Sequence, residues 1–107
     1  MQENGEAMSY DAIYAIEVRD AAGYAAYRAA MTPILATYGG GFRFDFEVAR
    51  TLKAPGSEAL NRVFVIRFPD AAAKEAFFAD PEYLRVREKY FTASVGEVAV
   101  IAKCEAA

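Results

Sequence analysis

The apolar positions of this chain change period several times, and each change marks an element. Ala12 to Arg19 (AIYAIEVR) is a short β-branched and aromatic run between Asp11 and Asp20, which predicts a strand. After Asp20, a side chain suited to capping a helix, Tyr24, Tyr27, Met31, Ile34, Leu35 and Tyr38 recur at helical spacing, with Arg28 on the far side. That helix should close at Gly39-Gly40-Gly41, and Pro33 inside it should kink it or split off its last turn near Thr32. Phe42 to Leu52 (FRFDFEVARTL) alternates aromatic and charged residues, the period of a strand with one buried and one polar face. Lys53 to Ala59 (KAPGSEA) is a turn-rich break before a third strand, Leu60 to Phe68, which Pro69 stops. Asp70 caps a short alanine-rich helix to Ala79. Asp80-Pro81-Glu82 then restarts it as cap, first-position proline and first-turn acid, and Tyr83, Val86, Arg87 and Tyr90 carry one face on to Thr92. Val95 to Lys103 is the fourth strand.

This order, with no repeat or linker, is the α+β, ferredoxin-like βαββαβ arrangement. It implies a four-stranded antiparallel sheet in the order 4-1-3-2, and right-handed crossovers are expected to set the first and third strands parallel at its centre. Even-numbered strand positions (Tyr14, Ile16, Val18, Phe42, Phe44, Phe46, Val48, Phe64, Ile66, Phe68, Val98 and Val100, with Gly96) form an apolar face that should meet the helices. The odd face mixes Ile13, Ala15, Ala49, Val63, Val65, Ala99 and Ile101 with Glu17, Arg19, Arg43, Asp45, Glu47, Arg67 and Glu97. With strands one and three parallel, all of these charges but Glu47 should gather at one end of that face. The other end is then an exposed apolar patch, best buried against a second copy, which predicts a homodimer with twofold symmetry.

The 107 residues, 55% apolar, suit one domain over residues 12–104, with the polar, acidic residues 1–11 expected as a flexible tail. Histidine is absent, which removes the usual imidazole base, the Ser-His and Cys-His nucleophile pairs, and histidine-ligated zinc or haem. The lone Cys104 allows no intrachain disulfide and has no histidine to activate it. Asp45 and Glu47 share a face but lack further oxygen ligands, so no metal site is expected, and Gly39-Gly40-Gly41 sits at the wrong end of a helix for phosphate. No cofactor is expected. A net charge of −3 with scattered basic residues disfavours nucleic acid and anionic membrane surfaces, and no apolar run is long enough to span a bilayer, so a soluble cytoplasmic protein is the expectation.

Two groups of residues are candidates for chemistry. Glu17, Arg43, Asp45 and Arg67 could orient an anionic substrate, a carboxylate serving as base and an arginine stabilising enolate-like charge; the same four could equally be ion pairs that fix dimer register. The tyrosines Tyr14, Tyr24, Tyr27, Tyr38, Tyr83 and Tyr90 point from helix and strand faces toward the space between helices and sheet, where they are core packing or pocket lining. Glu17, Asp45 and Tyr27 are thus the catalytic candidates, and Arg43, Arg67, Tyr83, Tyr14 and Tyr38 the ligand-binding ones.

The segments Glu17 to Asp20, Tyr24 to Arg28, Pro33 to Gly40, Arg62 to Ala72 and Phe78 to Tyr83, in this order and spacing, resemble the uncharacterised DUF1330 family from about Ala12 to Ala102. Two positions depart from that pattern: Tyr90 stands where members commonly carry arginine, and KAPGSEA lacks their glycine-tryptophan-like stretch. The resemblance implies a dimeric α+β barrel, the superfamily of antibiotic-biosynthesis-type monooxygenases, muconolactone isomerases and haem-degrading enzymes, and implies Tyr27 and Tyr83 as the tyrosines to watch. The combined expectation is a homodimer holding a small organic molecule between helices and sheet, with any activity being cofactor-free acid-base or oxygen chemistry. A non-enzymatic dimeric binding or structural module is the alternative.

Overall fold

A computed structural model describes residues 9–56 and 59–106. Strand β1 (Ser9–Val18) leads through Asp20, whose Oδ1 accepts the Gly23 N–H at 3.1 Å, into helix α1 (Ala21–Thr37). α1 runs through Pro33 without the split of its last turn that the sequence allows. Pro33 and Ala29, whose carbonyl loses its helical donor, both lie on the exposed side, where water can serve that carbonyl. The opposite side buries Tyr24, Tyr27, Met31, Ile34 and Leu35 and holds the helix on the sheet. Gly39, at φ 77°, ends the helix in the left-handed conformation that the glycine run predicts.

Strands β2 (Gly41–Glu47) and β3 (Arg62–Phe68) follow, then helices α2 (Ala71–Ala79) and α3 (Pro81–Val86), a π-helical turn (Arg87–Phe91), the single turn α4 (Thr92–Ser94), and strand β4 (Val95–Ala106). Both caps foreseen for the second helical region are made: Asp70 accepts from Ala73, and Asp80 accepts from Glu82 and Tyr83. β2 and β3 are shorter than expected. Beyond Glu47 the pairing closes with the Val48 N–H on the Asn61 carbonyl, and Thr51 is then tied by its hydroxyl to the Leu60 carbonyl. β1 starts earlier than Ala12, at Ser9, and β4 runs on to meet it at Ala106, so residues 9–11 are strand; residues 1–8 of the expected tail lie outside the described residues.

The sheet has the order β2-β3-β1-β4, which is 4-1-3-2 read from the other edge. Every neighbouring pair is antiparallel, including β1 and β3, which run from Tyr10↔Phe68 to Ile16↔Arg62. The expected parallel pairing of the two is therefore corrected. The crossover through α1 lays β2 parallel to β1 but leaves a strand-wide gap, and β3, returning from β2 as a hairpin, fills the gap opposed to both.

Parity also slips. A bulge at Arg43 separates Phe42↔Ile66 from Phe44↔Val65, so beyond it the two faces of β2 exchange. Phe44 and Phe46, expected under the helices, stand instead on the open face of the sheet, 44% and 55% exposed, while Asp45 turns to the helix side. The even face otherwise packs as expected. Ala12, Ile16, Phe64, Ile66 and Phe68 join the α1 side chains, Phe77, Tyr83, Phe91 and Val95 in one core. The exception is β4, where Val98 and Val100 remain about half exposed at the sheet edge.

Candidate functional site

Those two valines form the open side of a cleft of about 490 Å³ between the sheet and the C-terminal helices. Tyr14 and Ile16 of β1 and Phe64 and Ile66 of β3 make its floor. Tyr27 of α1, Phe78 of α2, Tyr83 of α3 and Phe91 of the π-helical turn make its walls, and Lys74, Glu75, Arg87 and Lys103 complete the lining. Tyr27 reaches it because the buried stripe of α1 faces the sheet; Tyr83 is fixed in the first turn of α3, whose Asp80 cap holds its own N–H at 3.0 Å.

The two hydroxyls meet there, 2.9 Å apart and buried. Tyr27 also packs on Phe91, ring centroids 4.9 Å apart, and Tyr83 on Phe77 at 4.4 Å. Burial drives the Tyr27 hydroxyl far above the usual phenol range, with the neighbouring Tyr83 adding to the shift. Burial raises Tyr83 as well, opposed by its bond with Tyr27 and by the Arg87 guanidinium, and pushes Tyr14 up to about 12. All three are therefore neutral hydrogen-bonding groups across the physiological range.

Tyr38 does not line this cleft. Its hydroxyl donates to Asp80 Oδ2 at 2.5 Å, while Oδ1 of the same carboxylate caps α3, so Tyr38 clamps the end of α1 to the start of α3. Tyr24 is also outside, with its buried hydroxyl unpartnered among the described residues.

The four charged candidates do not converge, because the antiparallel β1–β3 pairing and the Arg43 bulge distribute them into three places. Glu17 sits at the end of β1 with Arg19 at 3.2 Å and the Glu97 N–H at 3.4 Å. Asp45, on the helix side, accepts from Arg28 at 2.6 Å and from Arg62 at 3.0 Å. Partial burial alone would raise its pKa, but the hydrogen bonds from Arg62 and Arg28 outweigh this and leave it below the ordinary carboxylate value. Arg67 and Arg43, at the other end of the sheet, both reach Asp11, at 3.0 and 3.4 Å.

Asp11 is 5% exposed, a buried carboxylate inside β1 rather than at the strand boundary its position before Ala12 suggests. Its signal was its odd parity with Ile13 and Ala15, which extends the strand backward. The cleft residues Lys74, Glu75, Phe78 and Lys103 were also missed, and Arg87 was seen only as a helical neighbour of Tyr83. The spacing Lys74/Phe78 and Tyr83/Arg87, one helical turn each, was the available clue. Among the described residues no group of three or more His, Cys, Asp or Glu side chains could hold a metal ion, and no helix is long and apolar enough to cross a membrane. Cys104 is free and exposed.

Residues 10–104 match the family described as "Domain of unknown function (DUF1330)". No curated protein matches the chain. Among solved structures, RPA0582, a protein of unknown function from Rhodopseudomonas palustris, is similar with a TM-score of 0.75 and 23% identity over 90% of this chain and 80% of that one. A variant of SnoaB, a cofactor-independent oxygenase from Streptomyces nogalater, superposes with a TM-score of 0.58 and 16% identity over 92% and 91% of the two chains. A dabb family protein with a ferredoxin-like fold from Mesorhizobium loti gives 0.57 and 12% over 94% and 96%. At these identities the likeness is one of fold.

Proposed function

The chain belongs to the DUF1330 family, and we propose that it binds a small, largely apolar organic molecule in the cleft over β1, β3 and β4, as a homodimer closed through the open sheet face. The observation that carries this reading is the buried Tyr27–Tyr83 hydroxyl pair on the wall of a cavity whose floor is aromatic and aliphatic. Packing alone needs no hydroxyl there, since phenylalanine would fill the same space without desolvating two O–H groups. One hydroxyl of the pair donates to the other, which leaves one O–H over. Because both phenols stay protonated, the pair acts as a donor to an oxygen of the bound molecule rather than as a base.

On a carbonyl compound the same donors would stabilise charge developing on oxygen, and Glu75 is the one carboxylate among the residues lining the cleft. Cofactor-free acid-base chemistry is thus the enzymatic form of the proposal; SnoaB uses this fold as a cofactor-independent oxygenase. The homodimer is supported by the stacked pair Phe44 and Phe46, ring centroids 5.8 Å apart, which lies on the same face as Val63 and Val65.

The test is a melting-temperature screen of the full chain against small aromatic and carbonyl metabolites, repeated on Tyr83→Phe. Ligands that bind the folded state raise the melting temperature, and their effect should shrink in the variant. A panel without hits, or hits indifferent to Tyr83→Phe, would reject the site.

A further inference from the structure

We propose that the molecule held in this cleft is a monoanion with an apolar body, its carboxylate-like head lying between Arg87 and the Tyr27–Tyr83 hydroxyls and its body on the aromatic floor. This rests on the cleft being a binding site, and it adds the chemical class of the ligand.

Three cations from three separate elements surround the opening: Lys74 from α2, Arg87 from the π-helical turn and Lys103 from β4. A single acid, Glu75, stands among them. The chain as a whole carries the opposite balance, twelve basic against fifteen acidic residues, so this local excess is not a reflection of general composition. Nor is it neutralised internally. Arg28, Arg43, Arg62 and Arg67 each sit on a carboxylate, whereas Lys74, Arg87 and Lys103 make no ion pair among the described residues. Arg87 instead lies over the Phe91 ring, 5.3 Å from its centroid, with its guanidinium beside the Tyr83 hydroxyl, and Lys74 lies over Tyr10 at 5.6 Å, so aromatic groups rather than carboxylates hold both side chains.

The interior of the cleft supplies the complement. Arg87 follows Tyr83 by one helical turn, which puts its fork on the side of the hydroxyl pair, and the pair retains one O–H that no described group accepts. A guanidinium and a phenol donor side by side suit two oxygens of one planar head group. The floor and inner wall, Tyr14, Ile16, Phe64, Ile66 and Phe78, are uncharged, which suits an apolar body behind the head group.

Calorimetric titration with naphthoate and its uncharged isostere naphthamide tests this, on the full chain and on Arg87→Gln, whose exposed position makes it a safe substitution for folding. Naphthoate should bind about tenfold more tightly than naphthamide, and Arg87→Gln should remove about that factor for naphthoate alone, the size expected of one charge-assisted hydrogen bond. Higher salt should weaken naphthoate and leave naphthamide unchanged. Equal affinity for the two compounds would overturn the anion assignment while leaving the cleft as a binding site. Naphthoate binding that is indifferent to both Arg87→Gln and Tyr83→Phe would place the anion elsewhere and also overturn it. Failure of both compounds to bind would remove the inference together with the reading on which it stands.

Discussion

Arg28 of α1 holds Asp45 of β2 at 2.6 Å, and the same carboxylate accepts from Arg62 of β3 at 3.0 and 3.3 Å, so one side chain ties a helix to two strands. The contact exists only because the bulge at Arg43 turned Asp45 away from the open face. Arg28 lies meanwhile over the Phe42 ring at 3.5 Å, which fixes its stem where the bridge needs it.

Acid should weaken the protein partly through this group. The folded-state pKa of Asp45 is lowered, so its stabilisation is present above the ordinary value of 3.8 and is lost as pH falls through the lower folded value. Because the carboxylate is largely solvent-screened, the contribution is about 1 kcal/mol or less. Urea unfolding of Asp45→Asn as a function of pH should show a flatter loss below pH 4 than the unmodified protein; identical acid limbs would contradict this.

The tyrosine pair predicts a particular pattern of coupling. Tyr27→Phe leaves the Tyr83 hydroxyl buried without its partner and should cost about 1–2 kcal/mol, while Tyr27→Phe combined with Tyr83→Phe should cost less than the sum of the two single changes. Additive losses in a denaturation cycle would mean that the hydroxyls do not interact.

Alkali should act through the same region. Tyr14, with its folded pKa raised to about 12 from 10.0, stabilises fully below pH 10 and loses that contribution as pH rises from 10 to about 12. Phenolate absorbance should therefore lag in the native protein relative to the unfolded chain. Full ionisation of all tyrosines at pH 11 without unfolding would be the contrary result.

Phe46→Asp should separate folding from association. Phe46 is 55% exposed in the single chain, so the aspartate is tolerated by the monomer but is buried unpaired in a dimer closed through the open face. Sedimentation should show a dimer for the unmodified protein and a folded monomer for the variant. A monomeric unmodified protein at micromolar concentration would end the proposal.

Gly39→Ala should destabilise by about 1 kcal/mol, because the residue sits at φ 77° and a Cβ there would meet Pro69 Cγ at 2.8 Å. A wild-type melting temperature would show that the end of α1 relaxes without cost.

Much of this architecture is written in local pattern. The caps at Asp20, Asp70 and Asp80, the glycine stop after α1 and the sheet order all depend on residues near each other in the chain or on simple handedness. Pattern and structure part where one residue changes a period. Alternation through Phe42, Phe44 and Phe46 reads as a single face, and nothing in the residue types reveals that Arg43 is bulged. The direction of β3 is a matter of topology rather than of pattern, and a β3 parallel to β1 would set Arg67 near Glu17 instead of on Asp11. Tyr27 and Tyr83 stood out in the sequence, but their hydroxyl contact spans α1 and α3 and depends on packing, as does the arrival of Lys103 from the chain's last strand.

The π-helical turn at Arg87–Phe91 carries one residue more than an α-helical path would need, so the helix there already holds its one surplus residue and has no room for a second. Inserting a further residue between Arg87 and Phe91 would rotate all that follows by about 100°. Phe91 would leave the wall of the cleft, and the Ser94 carbonyl, which receives both the Arg19 and Asp20 N–H groups, would swing away from the β1–α1 turn. The loop residues 50–56 and 59–60, outside the sheet ladder, have no such phase to keep. Insertions should therefore accumulate in that loop and be excluded from the last helical turns, a contrast that a library of single-residue insertions would expose directly.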